Sequence, residues 1–171
     1  MKERTCCFTG HRTIPADQID SITAKTEIKI RELVLKQGIR YFGVGGAIGY
    51  DTLASQILFR LRETDFPQIK VILVYPFDGF TNLWTDEQKA TYAWLLPKYD
   101  KVVCVAPKGS REAYLARDRH LVDNSSFCIC YCTRKSGGTA YTVRYALSKG
   151  CAVYNVADCD VKIGVMLKCP S

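Results

Sequence analysis

The chain alternates between two kinds of segment. Six short apolar runs, at 5–9, 39–44, 70–75, 101–106, 127–132 and 152–156, enclose amphipathic stretches near 17–37, 51–63, 85–97, 112–124 and 139–149. Runs such as Val71-Ile72-Leu73-Val74 and Val102-Val103-Cys104-Val105 are apolar throughout, the pattern of strands covered on both faces. In the first long stretch Ile19, Ile22, Ile30, Leu33 and Val34 recur at near-helical spacing after Pro15, a helix-start signal. Strand–helix alternation with buried strands predicts an α/β fold: a Rossmann-like, doubly wound, mostly parallel sheet with helices on both faces. A length of 171 residues, 47% of them apolar, suits one domain over 1–171. No repeat, low-complexity tract or linker interrupts it, and one more short helix or strand is expected after Ala157.

No stretch is long or apolar enough for a membrane span. The apolar run after Met1-Lys2-Glu3-Arg4 is too short for a signal segment, so a cytoplasmic protein is expected. Nine cysteines raise the question of disulfides or metal. Seven sit in or beside apolar runs, as reduced, buried thiols do, and only Cys159 and Cys169 lie in the tail. Cys128, Cys130 and Cys132 alternate along a strand and would share one face. There is no C-x-x-C pair, and His11 and His120 lie elsewhere, so no metal site is expected. The net charge of +7 is concentrated: residues 98–149 carry ten Lys or Arg against four carboxylates. Such a local positive field suits an anionic partner, although a solvated basic surface gives the same count.

Ligands of open α/β sheets bind outside the carboxyl ends of the strands, so the turns there hold the candidate chemistry. The first is Thr9-Gly10-His11-Arg12, where the guanidinium suits phosphate and the imidazole can donate to an anion or move a proton. The second is Gly45-Gly46-Ala47-Ile48-Gly49-Tyr50-Asp51, a glycine-rich strand-to-helix turn suited to an anion. Its spacing is neither the dinucleotide fingerprint nor a Walker A loop. Asp51 is either a helix cap or a partner for a ribose hydroxyl or a water. The third is Arg134-Lys135-Ser136-Gly137-Gly138-Thr139, with Thr139 as a candidate N-cap. The preceding helix carries Arg117, Asp118, Arg119, His120 and Asp123, and spacing alone gives an ion pair between Arg119 and Asp123. Phe77, Phe80 and Trp84 either wall a base pocket or simply pack.

These motifs in this order, T-G-H-R, G-G-A-x-G-x-D, R-x-R-x-x-V-D and S-G-G-T, resemble YpsA-like proteins of the SLOG superfamily over roughly residues 5–157. That superfamily also holds the DprA DNA-processing proteins and the LOG phosphoribohydrolases. The resemblance implies a Rossmann-like sheet and a nucleotide-type site at the glycine turns, with Gly10, Arg12, Gly45, Gly46, Gly49, Asp51, Arg117, Gly137, Gly138 and Thr139 as its residues. His11, Ala47 and Ser136 join them from the turns themselves. Arg117 matches the LOG arginine. The LOG turn P-G-G-x-G-T-x-x-E ends on a glutamate needed for cleavage, whereas this chain has Arg144 and Tyr145 in that neighbourhood. Ser125-Ser126 also stands where the family often has Ser-Asp.

The leading expectation is therefore a binding or sensor domain for a nucleotide or nucleotide-derived ligand, with no other cofactor. The second is a phosphoribohydrolase-type enzyme in which Asp51 or Asp123 replaces the lost glutamate and Arg117 assists. The third is a DprA-like binder of single-stranded nucleic acid, against which stand the few aromatics among the cations. The sequence leaves the oligomeric state open, a homo-oligomer included.

Overall fold

The structure, a computed structural model, describes residues 1–158. Its strands are β1 (Thr5–Gly10), β2 (Tyr41–Val44), β3 (Lys70–Tyr75), β4 (Lys101–Cys104), β5 (Phe127–Tyr131) and β6 (Ala152–Asn155). The helices between them are α1 (Ile19–Gln37), α2 (Tyr50–Thr64), α3 (Asp86–Leu95), α4 (Arg111–Asp123) and α5 (Gly138–Ser148). All six strands pair in parallel, in the order β4-β3-β2-β1-β5-β6. The segment expected after Ala157 falls outside the described residues, apart from Asp158.

This order fixes which helices share a face. From β1 to β4 the chain steps outward three times in one direction, so right-handed crossovers put α1, α2 and α3 on one side. The link from β4 back to β5 reverses direction, which carries α4 and then α5 to the other side. The cores follow. Ile30 and Leu33 of α1, Leu58 and Leu61 of α2 and Leu95 of α3 pack with Cys6, Phe8, Phe42, Leu73 and Ile129. On the other side Leu121 and Val122 of α4 and Ala140, Val143 and Ala146 of α5 pack with Cys7, Cys128, Cys130, Cys132 and Val153. The three alternating cysteines thus share one buried face, as the strand period requires.

Full coverage of β4 is not observed. Val102 is 44% exposed and Cys104 is exposed as well. The strand is the edge of the sheet, and α4 packs over β1 and β3 instead, leaving β4 open. Among the described residues no helix is long and apolar enough to cross a membrane.

The reversal between β1 and β5 opens a crevice at the carboxyl ends of these two strands. Gly10 pairs with Tyr131 there, and the turns after β1, β2 and β5 all leave the sheet at this end.

Candidate functional site

The turns are tied to one another before any ligand is considered. His11 N–H donates to the carbonyl of Tyr131, the His11 carbonyl accepts from Tyr50 N–H, and His11 Nε2 accepts from Thr133 N–H at 2.8 Å. One residue thus links β1 to the turns after β2 and β5. An accepting Nε2 means a neutral ring with its proton on Nδ1. Burial, with Arg134 nearby, moves the imidazole below its ordinary value, which favours that neutral form. Expected as a free anion donor or proton shuttle, His11 instead has one ring nitrogen committed to the loop. Gly49 adds a second tie, since its φ of 81° brings the α2 start against the backbone of Arg12. Gly10 lies against the ring of Tyr50, where a Cβ would collide with it.

Over these ties lies a cavity of about 660 Å³. Gly10, His11, Arg12, Ala47, Asp51, Arg117, Ser136, Gly137, Gly138 and Thr139, all expected from the sequence, line it. Gly45, Gly46 and Gly49 do not. A Cβ on Gly45 would strike Arg117 and Asp51, one on Gly46 would strike Leu73, and Gly49 is held by Arg12. These three glycines admit close packing beneath the site. The Ala47 N–H of that turn is already taken by Asp51 Oδ2 at 3.2 Å. Asp123 lies outside the cavity and accepts from Tyr145 Oη at 2.9 Å. Arg119 pairs with Glu112 and donates to Tyr141 Oη rather than meeting Asp123, because α5 packs against α4 and supplies the tyrosines. The Ser125 and Ser126 hydroxyls donate to the carbonyls of Leu121 and Lys2. Phe77, Phe80 and Trp84 cluster with Tyr75 and Tyr92 and do not line the cavity.

Spacing along single segments does not bring Arg111, Tyr114, Tyr141 and Arg144 to the site, yet they line the cavity together with Arg134 of the third turn. The signal for the three arginines among them was the charge excess over 98–149. Five arginines, 12, 111, 117, 134 and 144, face two carboxylates, Asp51 and Asp118. Arg117 is 6% exposed; its Nη1 donates to the Gly45 carbonyl and its Nε to Asp118 at 2.7 Å. Arg12 and Arg117 lie 5.6 Å and 6.0 Å from the ring centre of Tyr114. The N-cap of α5 is Gly137, which offers no side-chain cap, so Thr139 is not the cap the sequence suggested. Uncapped N–H groups at a helix start, with the dipole behind them, favour an anion.

Asp51 is the anomaly of this wall. Burial pushes its carboxyl up to about 6, against the pull of Arg117 and of the Ala47 N–H. A folded-state value raised above the ordinary 3.8 gives a definite sign. The stability it contributes is present below the unfolded value and is lost as pH rises through about 6. Asp51→Asn, which keeps an oxygen for Ala47 N–H, should therefore stabilise the unliganded protein by about 2 kcal/mol at pH 7.5. The gain should shrink toward zero by about pH 4. Urea unfolding of both proteins across that range checks this, and a gain that does not vary with pH would refute it.

A family model, YpsA, described as the YspA SLOG family, matches residues 8–156. The chain is similar to the UPF0398 protein of Shouchella clausii, 25% identical over 66% of this chain and 61% of the relative. It is also similar to the prophage-derived protein YoqJ of Bacillus subtilis, 26% identical over 68% of this chain and 75% of that one. Against UPF0398 proteins of Shouchella clausii and Staphylococcus epidermidis the chain spans only 61% and 54% of the relative's length. Among solved structures it resembles DNA processing protein A from Helicobacter pylori, a protein described by its single-stranded DNA binding mode. That match has a TM-score of 0.63 and 16% identity over 90% of this chain and 65% of that one. The Streptococcus pneumoniae protein gives 0.65 and 17% over 90% and 50%. At such identity the likeness concerns the fold. The family match covers most of the chain, and the chain belongs to the YspA SLOG family.

Proposed function

We propose that the chain is a binding or sensor domain for a nucleotide or nucleotide-derived anion, held in the cavity between β1 and β5. The observation that carries this reading is the convergence of five arginines and the uncapped start of α5 on one cavity at the strand-order reversal. Binding without efficient cleavage fits the composition of α5, which has no carboxylate anywhere in Gly138–Ser148. An N-glycosidase needs charge stabilisation at the sugar, and a grip on phosphate alone holds ground state and transition state alike. A thermal-shift panel of nucleoside mono- and diphosphates should raise Tm with dose, as linkage requires, and release no free base. Efficient base release, lost in Asp51→Asn, would make the protein a hydrolase.

A second reading, a binder of single-stranded nucleic acid, draws on one feature besides the fold. Tyr141 of the cavity wall stacks on Tyr145 at 6.3 Å, and Lys149 lies 5.2 Å from the centre of the Tyr145 ring. Stacked rings beside cations suit unpaired bases. An oligonucleotide that raises Tm where mononucleotides do not would favour this reading over the first.

A further inference from the structure

We propose that the outward face of α3 is a self-association surface, on which a second copy of this chain packs its own α3 antiparallel to the first about a twofold axis. The surface is separate from the cavity between β1 and β5, since no residue of α3 lines that cavity.

The outer side of this helix is unusually apolar. Leu95 is the one buried residue of α3, and Gln88, Thr91 and Tyr92 are half-buried on the same inner side. Asp86, Glu87, Ala90, Ala93, Trp94 and, in the turn that follows, Pro97 are exposed. At 3.6 residues per turn these six fall on one face. A solvent-facing helix side ordinarily carries charged and polar residues, yet from Ala90 onward this face has none. Trp94 is 60% exposed, Leu83 just before the helix is 99% exposed, and Leu96 just after it is exposed as well. Single exposed apolar residues are ordinary, whereas a cluster of them along one helix marks an interaction site. Tryptophan is among the side chains that carry most of the binding energy at interfaces.

Charge selects the occupant. The face is acidic at one end, where Asp86 and Glu87 form the first turn of α3. It is basic at the other, where the Lys98 ammonium lies 4.3 Å from the centre of the Trp94 ring. The exposed Glu63 stands 3.7 Å from Lys98, and an ammonium with three donors has capacity beyond that one contact. Two α3 helices related by a twofold between Ala90 and Ala93 run antiparallel. The acidic end of each copy then meets the basic end of the other, and both ends pair at once. A parallel pair would set like charges together. At the axis the small alanine side chains let the helices approach closely, and each Trp94 lies against the other copy's helix. A face of a single sign of charge would have called for a different protein; this one is complementary to itself.

Sedimentation equilibrium on the intact chain tests this. The mass should rise from that of one chain toward twice that value as concentration increases through the micromolar range, and stop there, because a twofold contact closes. Ala93→Glu sets a carboxylate against its own copy at the axis, and Trp94→Ala removes the anchor. Each should weaken association about tenfold or more. Both positions are exposed, so the urea midpoints should stay close to that of the parent and show that the variants fold. Charge reversal decides the orientation. Glu87→Lys and Lys98→Glu should each weaken association about tenfold, since each change occurs twice in a dimer. The two together in one chain should restore most of it, because each reversed end meets a reversed end. A chain that stays monomeric into the millimolar range would overturn the inference and leave the face to a different protein. A dimer that Ala93→Glu and Trp94→Ala leave intact would overturn it in favour of another surface. A double reversal no better than the single changes would overturn the antiparallel arrangement.

Discussion

Gly49→Ala is expected to destabilise the protein by about 3 kcal/mol or more, the sum of a strained backbone and a backbone collision. The residue has φ 81° and ψ −122°, a combination that residues with a Cβ rarely adopt. An added Cβ would run into the carbonyl carbon and oxygen of Arg12. Backbone cannot move aside as a flexible side chain can, so the turns after β1 and β2 would separate. The Tyr50 N–H to His11 carbonyl bond would go with them. Nucleotide binding should fall together with stability, although Gly49 does not line the cavity. Urea midpoints and calorimetry on the variant measure both. A variant as stable as the parent would show that the contact between the turns is not what holds the site.

Arg117→Ala should act on stability and binding at once. The side chain is buried, and its removal leaves the Gly45 carbonyl without its donor and Asp118 without its cation. Breaking a buried pair by removing one member destabilises by about 3 kcal/mol. The change should also raise the Asp51 carboxyl further, since Arg117 is the chief group opposing the effect of burial. Affinity for a nucleoside monophosphate should drop by about tenfold to a hundredfold. Arg117→Lys restores the charge but not the fork that reaches Gly45 and Asp118 together, so it should recover only part of either loss. Full recovery by lysine would reduce the role of Arg117 to charge alone.

Much of the fold is legible in the sequence because its signals are local. Continuous apolar runs placed all six strands to within a few residues, helical spacing placed α1, and the intervals between the runs placed α2 to α5. The coverage of β4 was not legible, because an edge strand can be as apolar as a central one. Only strand order shows which strand α4 leaves open. The site divides in the same way. Glycine turns name the end of the sheet, but a glycine that faces a ligand and one that faces packed protein atoms have the same spacing. Gly45, Gly46 and Gly49 are of the second kind. Arg111 reaches the cavity from the start of α4 and Arg144 from the middle of α5, two helices brought together by the crossover, a juxtaposition no window of sequence contains. The upward shift of the Asp51 carboxyl likewise depends on burial, which its motif does not encode.

The nucleotide reading places an anionic ligand between β1 and β5. Amide chemical-shift mapping during titration with AMP tests it most directly. Saturable shifts are expected, concentrated at Gly10, His11 and Arg12 and at Ser136, Gly137, Gly138 and Thr139, the backbone on either side of the cavity. No shifts at millimolar AMP, or shifts confined to the β3–β4 side of the sheet, would contradict it.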